Sequence, residues 1–207
     1  MSDHVCPICS NPNFVNIVTI DKWSVHECTN CNLGITTPFP DHETLSDLYD
    51  DNYFQPSPDN YNIQSSKFKK MMAQERHRVR FVRRNAKKGK LLDIGCGSGF
   101  FLYAAQKNGF SVQGLDISDS NLRLIEDHFG IKVDISPVEE MDYPEKHFDA
   151  ITMWHSLEHN TDPGSVIKKC MGWLKQGGTL VIEVPNHNCI DAKMGREKWP
   201  NWALPFH

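Results

Sequence analysis

The run Leu91-Leu92-Asp93-Ile94-Gly95-Cys96-Gly97-Ser98-Gly99-Phe100-Phe101-Leu102 constrains this chain more than any other. The residues up to Ile94 read as a short buried strand and Gly-x-Gly-x-Gly as a tight turn. From Phe100 onward they read as the start of an amphipathic helix. A strand–turn–helix of this kind lets backbone N–H groups approach a ligand where Cβ atoms would block it. Three glycines alone do not name the ligand, because dinucleotide-binding folds use the same device.

The residues that follow keep alternating. The helix after the turn runs to Lys107, with Asn108-Gly109 as a left-handed stop. Ser111–Asp116 reads as a second strand ending in an acid. Ser118 is placed to cap a helix over Asp119–His128 that stops at Gly130. Ile131–Ile135, Phe148–Trp154 and Thr179–Val184 read as three more strands, and a helix begins at Asp162-Pro163 and ends at Gly177-Gly178. Regular β–α alternation with apolar strands predicts an α/β fold, a Rossmann-like doubly wound and mostly parallel sheet covered by helices on both faces. Ligands in such sheets bind beyond the C-terminal strand ends, near the topological switch point. The glycine turn, Asp116 and Trp154–His159 all fall there.

Asp116 closes the second strand about twenty residues after the glycine turn, where a carboxylate can accept both ribose hydroxyls of a nucleoside. That position fits a nicotinamide dinucleotide and S-adenosylmethionine equally. Asp93 separates them: a carboxylate just before the turn repels a pyrophosphate and suits a cofactor that carries an ammonium and a sulfonium.

Leu91–Leu102, Gly114-Leu115-Asp116-Ile117, Phe148-Asp149, Leu157-Glu158-His159 with Asp162-Pro163, and Leu174–Pro185 together resemble a class I S-adenosylmethionine-dependent methyltransferase, in motif order, over about residues 85–190. The resemblance implies that Asp93 and the backbone of Gly95, Cys96, Gly97 and Gly99 hold the methionine portion. Asp116 would take the ribose, Ile117 would flank adenine, and Trp154 would wall the site. Cys96 reads as a small residue that fits the turn. His155, Glu158 and His159 are the candidate catalytic group, because an imidazole at the cofactor end can deprotonate an acceptor hydroxyl or carbon acid. Such sheets continue with a helix and two more strands beyond the position of Val184, so the chain reads as a truncated core, with His207 as a possible active-site histidine.

Cys6-Pro7-Ile8-Cys9 and Cys28-Thr29-Asn30-Cys31 are two C-x-x-C pairs, and each can close on one face of a tetrahedral ion. Strands at Phe14–Ile20 and Trp23–Glu27, joined around Asp21-Lys22, would bring the pairs together as a zinc ribbon. Four thiolates complete the shell, so the zinc is structural. This module before the core narrows the resemblance to methyltransferases of sugar and polysaccharide biosynthesis. Ribbons are also fused to RNA methyltransferases.

Half of the 22 Lys and Arg residues lie between Lys67 and Lys90. They read as the solvated face of a helix over Ser66–Ala86 or as an anion- or RNA-binding stripe. Tyr53, Phe54 and Tyr61, in a Pro- and Asn-rich linker, read as a lid or as packing anchors. Net charge is −4, no apolar run approaches the roughly 20 residues that span a bilayer, and no signal-peptide core is evident. The reading is therefore a cytoplasmic protein with a zinc module over 1–40, a linker and helical lead-in over 41–88, and a cofactor-binding core over 89–207. Its partner is a small-molecule methyl acceptor, with nucleic acid as the alternative, no membrane, and an oligomeric state the residues leave open. The alternatives to a sugar-directed enzyme are an RNA methyltransferase and a non-catalytic cofactor-binding scaffold.

Overall fold

The structure, a computed structural model, describes residues 5–38, 58–202 and 204. Tyr53, Phe54 and His207 lie outside the described residues. The chain forms two compact units, one of residues 1–50, 158–164 and 184–207, the other of 51–157 and 165–183.

The smaller unit opens with a three-stranded antiparallel sheet, β1 (Phe14–Ile20), β2 (Trp23–Cys28) and β3 (Gly34–Thr37). Asp21 takes a positive φ of 54° in the two-residue turn, which sets Ile20 opposite Trp23. The hairpin is the expected one. The third strand adds four residues that the cysteine pattern does not announce.

The larger unit begins with a single helical turn, α1 (Pro58–Tyr61), and two helices, α2 (Ser66–Gln74) and α3 (Arg76–Asn85). Ser65 caps α2, its hydroxyl accepting from the Phe68 N–H at 2.9 Å. The single helix expected over Ser66–Ala86 is interrupted at Glu75, whose ψ of −7° breaks the regular ladder. Both halves still turn their apolar residues, Phe68, Val79 and Val82, into the core.

The main sheet follows as β4 (Lys90–Ile94), α4 (Phe100–Lys107), β5 (Ser111–Asp116), α5 (Asp119–Phe129), β6 (Val133–Ile135), β7 (Phe148–Trp154), α6 (Pro163–Trp173) and β8 (Leu174–Glu183). The strands are parallel, in the order β6-β5-β4-β7-β8. The order reverses at β4, which places a switch point at the C-terminal ends of the central strands. Successive strand residues face opposite sides. Leu91, Ala150 and Val181 join the helices α2 to α5 on one face, whereas Leu92, Ile94, Ile151 and Met153 pack against Val166, Cys170 and Trp173 of α6 on the other.

Two boundaries differ from expectation. Edge strand β6 is three residues long, because only Val133–Ile135 pair with β5. Gly177-Gly178 lies inside β8 rather than ending a helix, and β8 pairs irregularly with β7 between Phe148 and Ala150. Among the described residues no helix is long and apolar enough to cross a membrane.

The last segment carries α7 (Ile190–Gly195) and returns to the smaller unit. Ala192, Trp199 and Trp202 form one buried cluster with Val18 of β1 and Val25 of β2. The Glu27 carboxylate pairs with His187 Nε2 at 2.6 Å and accepts from the Asn188 amide at 3.1 Å. A three-stranded sheet of this size has little core of its own, and the returning tryptophans supply it.

Candidate functional site

The site is built from the ends of β4, β5, β7 and β8 and from the junction of α2 and α3. Gly95 and Gly97 shape the turn after β4 in different ways. At Gly95, φ is +72° and a Cβ would lie 2.4 Å from the Ser156 hydroxyl oxygen, so a side chain is excluded by both backbone and neighbour. At Gly97, φ is +52° and a Cβ would meet nothing within 4 Å. Open space over a left-handed glycine is what a ligand approaching the backbone requires. The Cys96 side chain is buried, and its Sγ would lie 2.8 Å from a Cβ at Gly114. It fills the gap over that glycine, in keeping with its reading as a small residue that fits the turn.

A cleft of about 180 Å³ opens beside this turn, lined by Asp93, Gly95, Cys96, Gly97, Trp154, Glu75 and Arg78 among others. Asp93 is 1% exposed and accepts a 2.6 Å hydrogen bond from the Thr152 hydroxyl. Burial, opposed by that bond and reinforced by the nearby Glu75, pushes the Asp93 carboxyl up to about 8. Burial also holds Glu75 above the usual carboxylate range, with Arg78 pulling the other way. The cleft therefore disfavours bare negative charge on these two acids.

Asp116 ends β5 beside the turn, its carboxylate accepting from Gly97 N–H at 2.8 Å and Ser118 N–H at 3.0 Å. Ile117 follows, 59% exposed. Trp154 packs edge-on against Phe101 with centroids 5.1 Å apart, and the Arg78 guanidinium lies 5.0 Å over its ring. The Trp154 Nε1 and Arg78 Nε atoms are buried with no hydrogen-bond partner among the described residues. Both residues line the cleft, and these two nitrogens are buried orphan donors behind its surface.

His155 follows β7 with a φ of +52°, a conformation that a non-glycine residue holds only when its surroundings impose it. Its backbone N–H donates to Glu183 O at 2.8 Å, and its Nε2 lies 3.1 Å from Glu183 Oε1. The same Oε1 accepts from Arg78 at 2.9 Å, and Arg78 is chiefly what offsets burial and holds the Glu183 carboxyl below its usual range. Glu158 and His159 stand on a 3-10 turn over Leu157–His159, assigned to the smaller unit together, while His155 belongs to the larger one.

The structure thus gathers Asp93, Gly95, Cys96, Gly97 and Trp154 around one cleft, sets Asp116 against it and gives His155 a carboxylate partner. Glu75, Arg78 and Glu183 are the additions. The signal for Arg78 lay inside a basic run that reads as solvent-facing, and its pairing with Glu183 spans 105 residues, beyond any local pattern.

In the other unit the thiols of Cys6, Cys9, Cys28 and Cys31 come within 4.8 Å of one another, with Cys6–Cys31 at 3.4 Å and Cys9–Cys28 at 3.6 Å. The edge of a zinc–thiolate tetrahedron is about 3.8 Å, so this donor set fits such an ion.

A pH dependence follows from Asp93. A folded-state value of about 8, raised above an ordinary 3.8, favours folding fully only below about pH 4. That contribution is lost as pH rises toward and through 8. Asp93→Asn, which cannot ionise, is therefore expected to melt above the parent chain at pH 8.5 without ligand, and thermal melts across pH 5–9 check it. A parent chain that melts higher at every pH would contradict the assignment.

Residues 65–207 match the family model described as a methyltransferase domain. A ubiquinone biosynthesis O-methyltransferase of Thiobacillus denitrificans is 36% identical over 105 residues, 48% of this chain and 45% of that protein. One of Bradyrhizobium sp. is 36% identical over 120 residues, 56% of this chain and 43% of its own length. The chain thus spans a little under half the length of these curated relatives. The crystal structure of PH0226 protein from Pyrococcus horikoshii superposes with a TM-score of 0.51 at 23% identity, covering 63% of this chain and 64% of that one, a likeness of fold.

Proposed function

The chain belongs to the methyltransferase-domain family, and from that premise we propose that it uses S-adenosylmethionine to methylate a hydroxyl of a small molecule. The acceptor class proposed is a sugar or nucleotide-linked sugar. The observation that carries the cofactor reading is the cleft itself, which the buried acid Asp93, the cation Arg78 and the open glycine turn line together. Asp93 and Glu75 suit an ammonium, the Arg78 guanidinium suits a carboxylate, and Asp116 suits ribose hydroxyls. Gly95, Cys96 and Gly97 bring backbone to the cleft wall, Gly99 holds the turn through its bonds to Cys96 and Tyr103, and Ile117 and Trp154 offer apolar walls. When bound, the cofactor supplies an electrophilic methyl group on a sulfonium.

The acceptor class draws on two supports. The relatives' names speak of O-methylation, which makes a hydroxyl the acceptor group. The four-cysteine module ahead of the core resembles that of sugar-directed enzymes. A hydroxyl must lose its proton during transfer, and His155 is the proposed base. Glu183 carries one of its ring nitrogens and so fixes the tautomer. Glu158 and His159, next along the chain, are the further candidate acid–base residues. Cys6, Cys9, Cys28 and Cys31 would hold a zinc ion whose role is folding.

A methyl-transfer screen with isotopically labelled cofactor against nucleotide sugars, free sugars and phenols tests the reading. Labelled sugar is the expected product. Bound cofactor with no methylated product in any class would overturn the enzymatic reading, and labelled phenol alone would overturn the sugar. On the acceptor that turns over, His155→Asn is expected to lower kcat by about 10²- to 10⁴-fold with cofactor affinity retained. Undiminished kcat would remove His155 from the mechanism.

A further inference from the structure

Helix α3 breaks local rules that a merely solvated helix keeps. Its ten residues, Arg-His-Arg-Val-Arg-Phe-Val-Arg-Arg-Asn, include five arginines and no acid. Arg76, His77 and Arg78 crowd the first turn, the end where the helix dipole favours negative charge. Arg76, Arg80 and Arg83 recur at i, i+4 and i+7, a spacing that puts like charges on one face, where they repel. Arg78 is absorbed by the cofactor cleft. Arg76, Arg80 and Arg83 are exposed, and they converge on a separate groove of about 390 Å³.

The groove's floor is apolar, from Met72, Val79 and Ala104, with Asn108 at its edge and no acid among the described residues that line it. Among the described residues Arg83 donates to the Asn108 side-chain oxygen at 3.1 Å, whereas Arg76 and Arg80 make no hydrogen bond or ion pair. Seven residues of helix set Arg76 and Arg83 about 10 Å apart along the axis. Three guanidiniums over that length match two or more phosphate groups, and the floor matches an apolar or planar body attached to them. A volume of this order suits a small molecule.

We propose that the Arg76–Arg80–Arg83 groove is a second ligand site that binds a small molecule carrying at least two phosphate charges, separate from the cofactor cleft. Charge complementarity selects the ligand: an anion removes the repulsion along α3 that no ion pair of Arg76, Arg80 or Arg83 offsets among the described residues. The groove's outer face is a row of cations, so binding weakens as salt rises but retains the contribution of the apolar floor.

The test is calorimetric titration of ADP and of inorganic pyrophosphate into the full chain. Both are run at 50 and 150 mM salt, with the cofactor cleft saturated by S-adenosylhomocysteine. ADP is expected to bind one to one. Arg80→Gln with Arg83→Gln, and separately Arg76→Gln, should weaken it at least tenfold while S-adenosylhomocysteine affinity and the circular dichroism spectrum stay unchanged. Pyrophosphate binding at the same groove more weakly than ADP supports a role for the floor, and equal affinities support a pure phosphate site. No binding of either, or binding that the arginine variants leave intact, overturns the proposal. So does binding confined to a single-stranded RNA or to phosphatidylglycerol vesicles, which would make the stripe a macromolecular surface.

Discussion

Asp93→Ala is expected to weaken S-adenosylmethionine binding by roughly 30- to 200-fold, a loss of about 2–3 kcal/mol, the value of a hydrogen-bonded charge removed from a desolvated site. The argument runs from the strand to the cleft. Asp93 sits at 1% exposure near the end of β4, held by Thr152 from β7, and its carboxyl is pushed up to about 8. A cationic ligand reverses the balance that burial sets and pulls the carboxyl into its ionised form. Below pH 8, binding must therefore release a proton, and affinity should climb with pH before levelling above that point. Asp93→Asn should flatten the climb, and titrations in buffers of different ionisation enthalpy read the proton directly. A pH-independent affinity in the parent chain would contradict the account.

The second large effect is expected at the cysteines. Removing metal with a chelator, or replacing Cys28 by Ser, should unfold the three-stranded sheet. A structural zinc of this donor type contributes on the order of 10 kcal/mol, more than a sheet this small can replace. Because Trp199 and Trp202 pack with Val18 and Val25, and Trp23 lies in β2, the loss should appear as a red shift of tryptophan emission. Cofactor affinity in the other unit should stay within a few-fold. A loss as deep as that of Asp93→Ala would show instead that the four-cysteine module serves cofactor binding.

The contrast between legible and illegible features follows sequence distance. β5 and β7 were readable to the residue, because a turn precedes each and a marked residue, Asp116 or Trp154, ends it. The helix at Phe100–Lys107 and the stop at Gly130 were readable from glycine punctuation, and Gly130 does adopt a positive φ of 63°. Asp93 and Asp116 were readable because their distance from the glycine turn has a chemical meaning. Arg78 was not: an arginine among ten other cations carries no local mark, and only its approach to Glu183 and Trp154 reveals it. The return of the last segment was equally hidden. Trp199 and Trp202 stand where the core's continuation was expected, yet they complete the hydrophobic cluster of the first sheet. Two tryptophans close together in a polar tail were the available signal, since side chains that large seldom stay in water without a surface to cover.

The central claim is that the cleft beside Gly95–Gly99 is an S-adenosylmethionine site in which Asp93 meets the cation and Arg78 the carboxylate. Calorimetric titration of S-adenosylmethionine into the parent chain, Asp93→Asn and Arg78→Gln at pH 8.5 tests it most directly. The account predicts one-to-one binding to the parent chain and at least a tenfold loss in each variant. Binding that is absent from the parent chain, or that neither variant weakens, would contradict it.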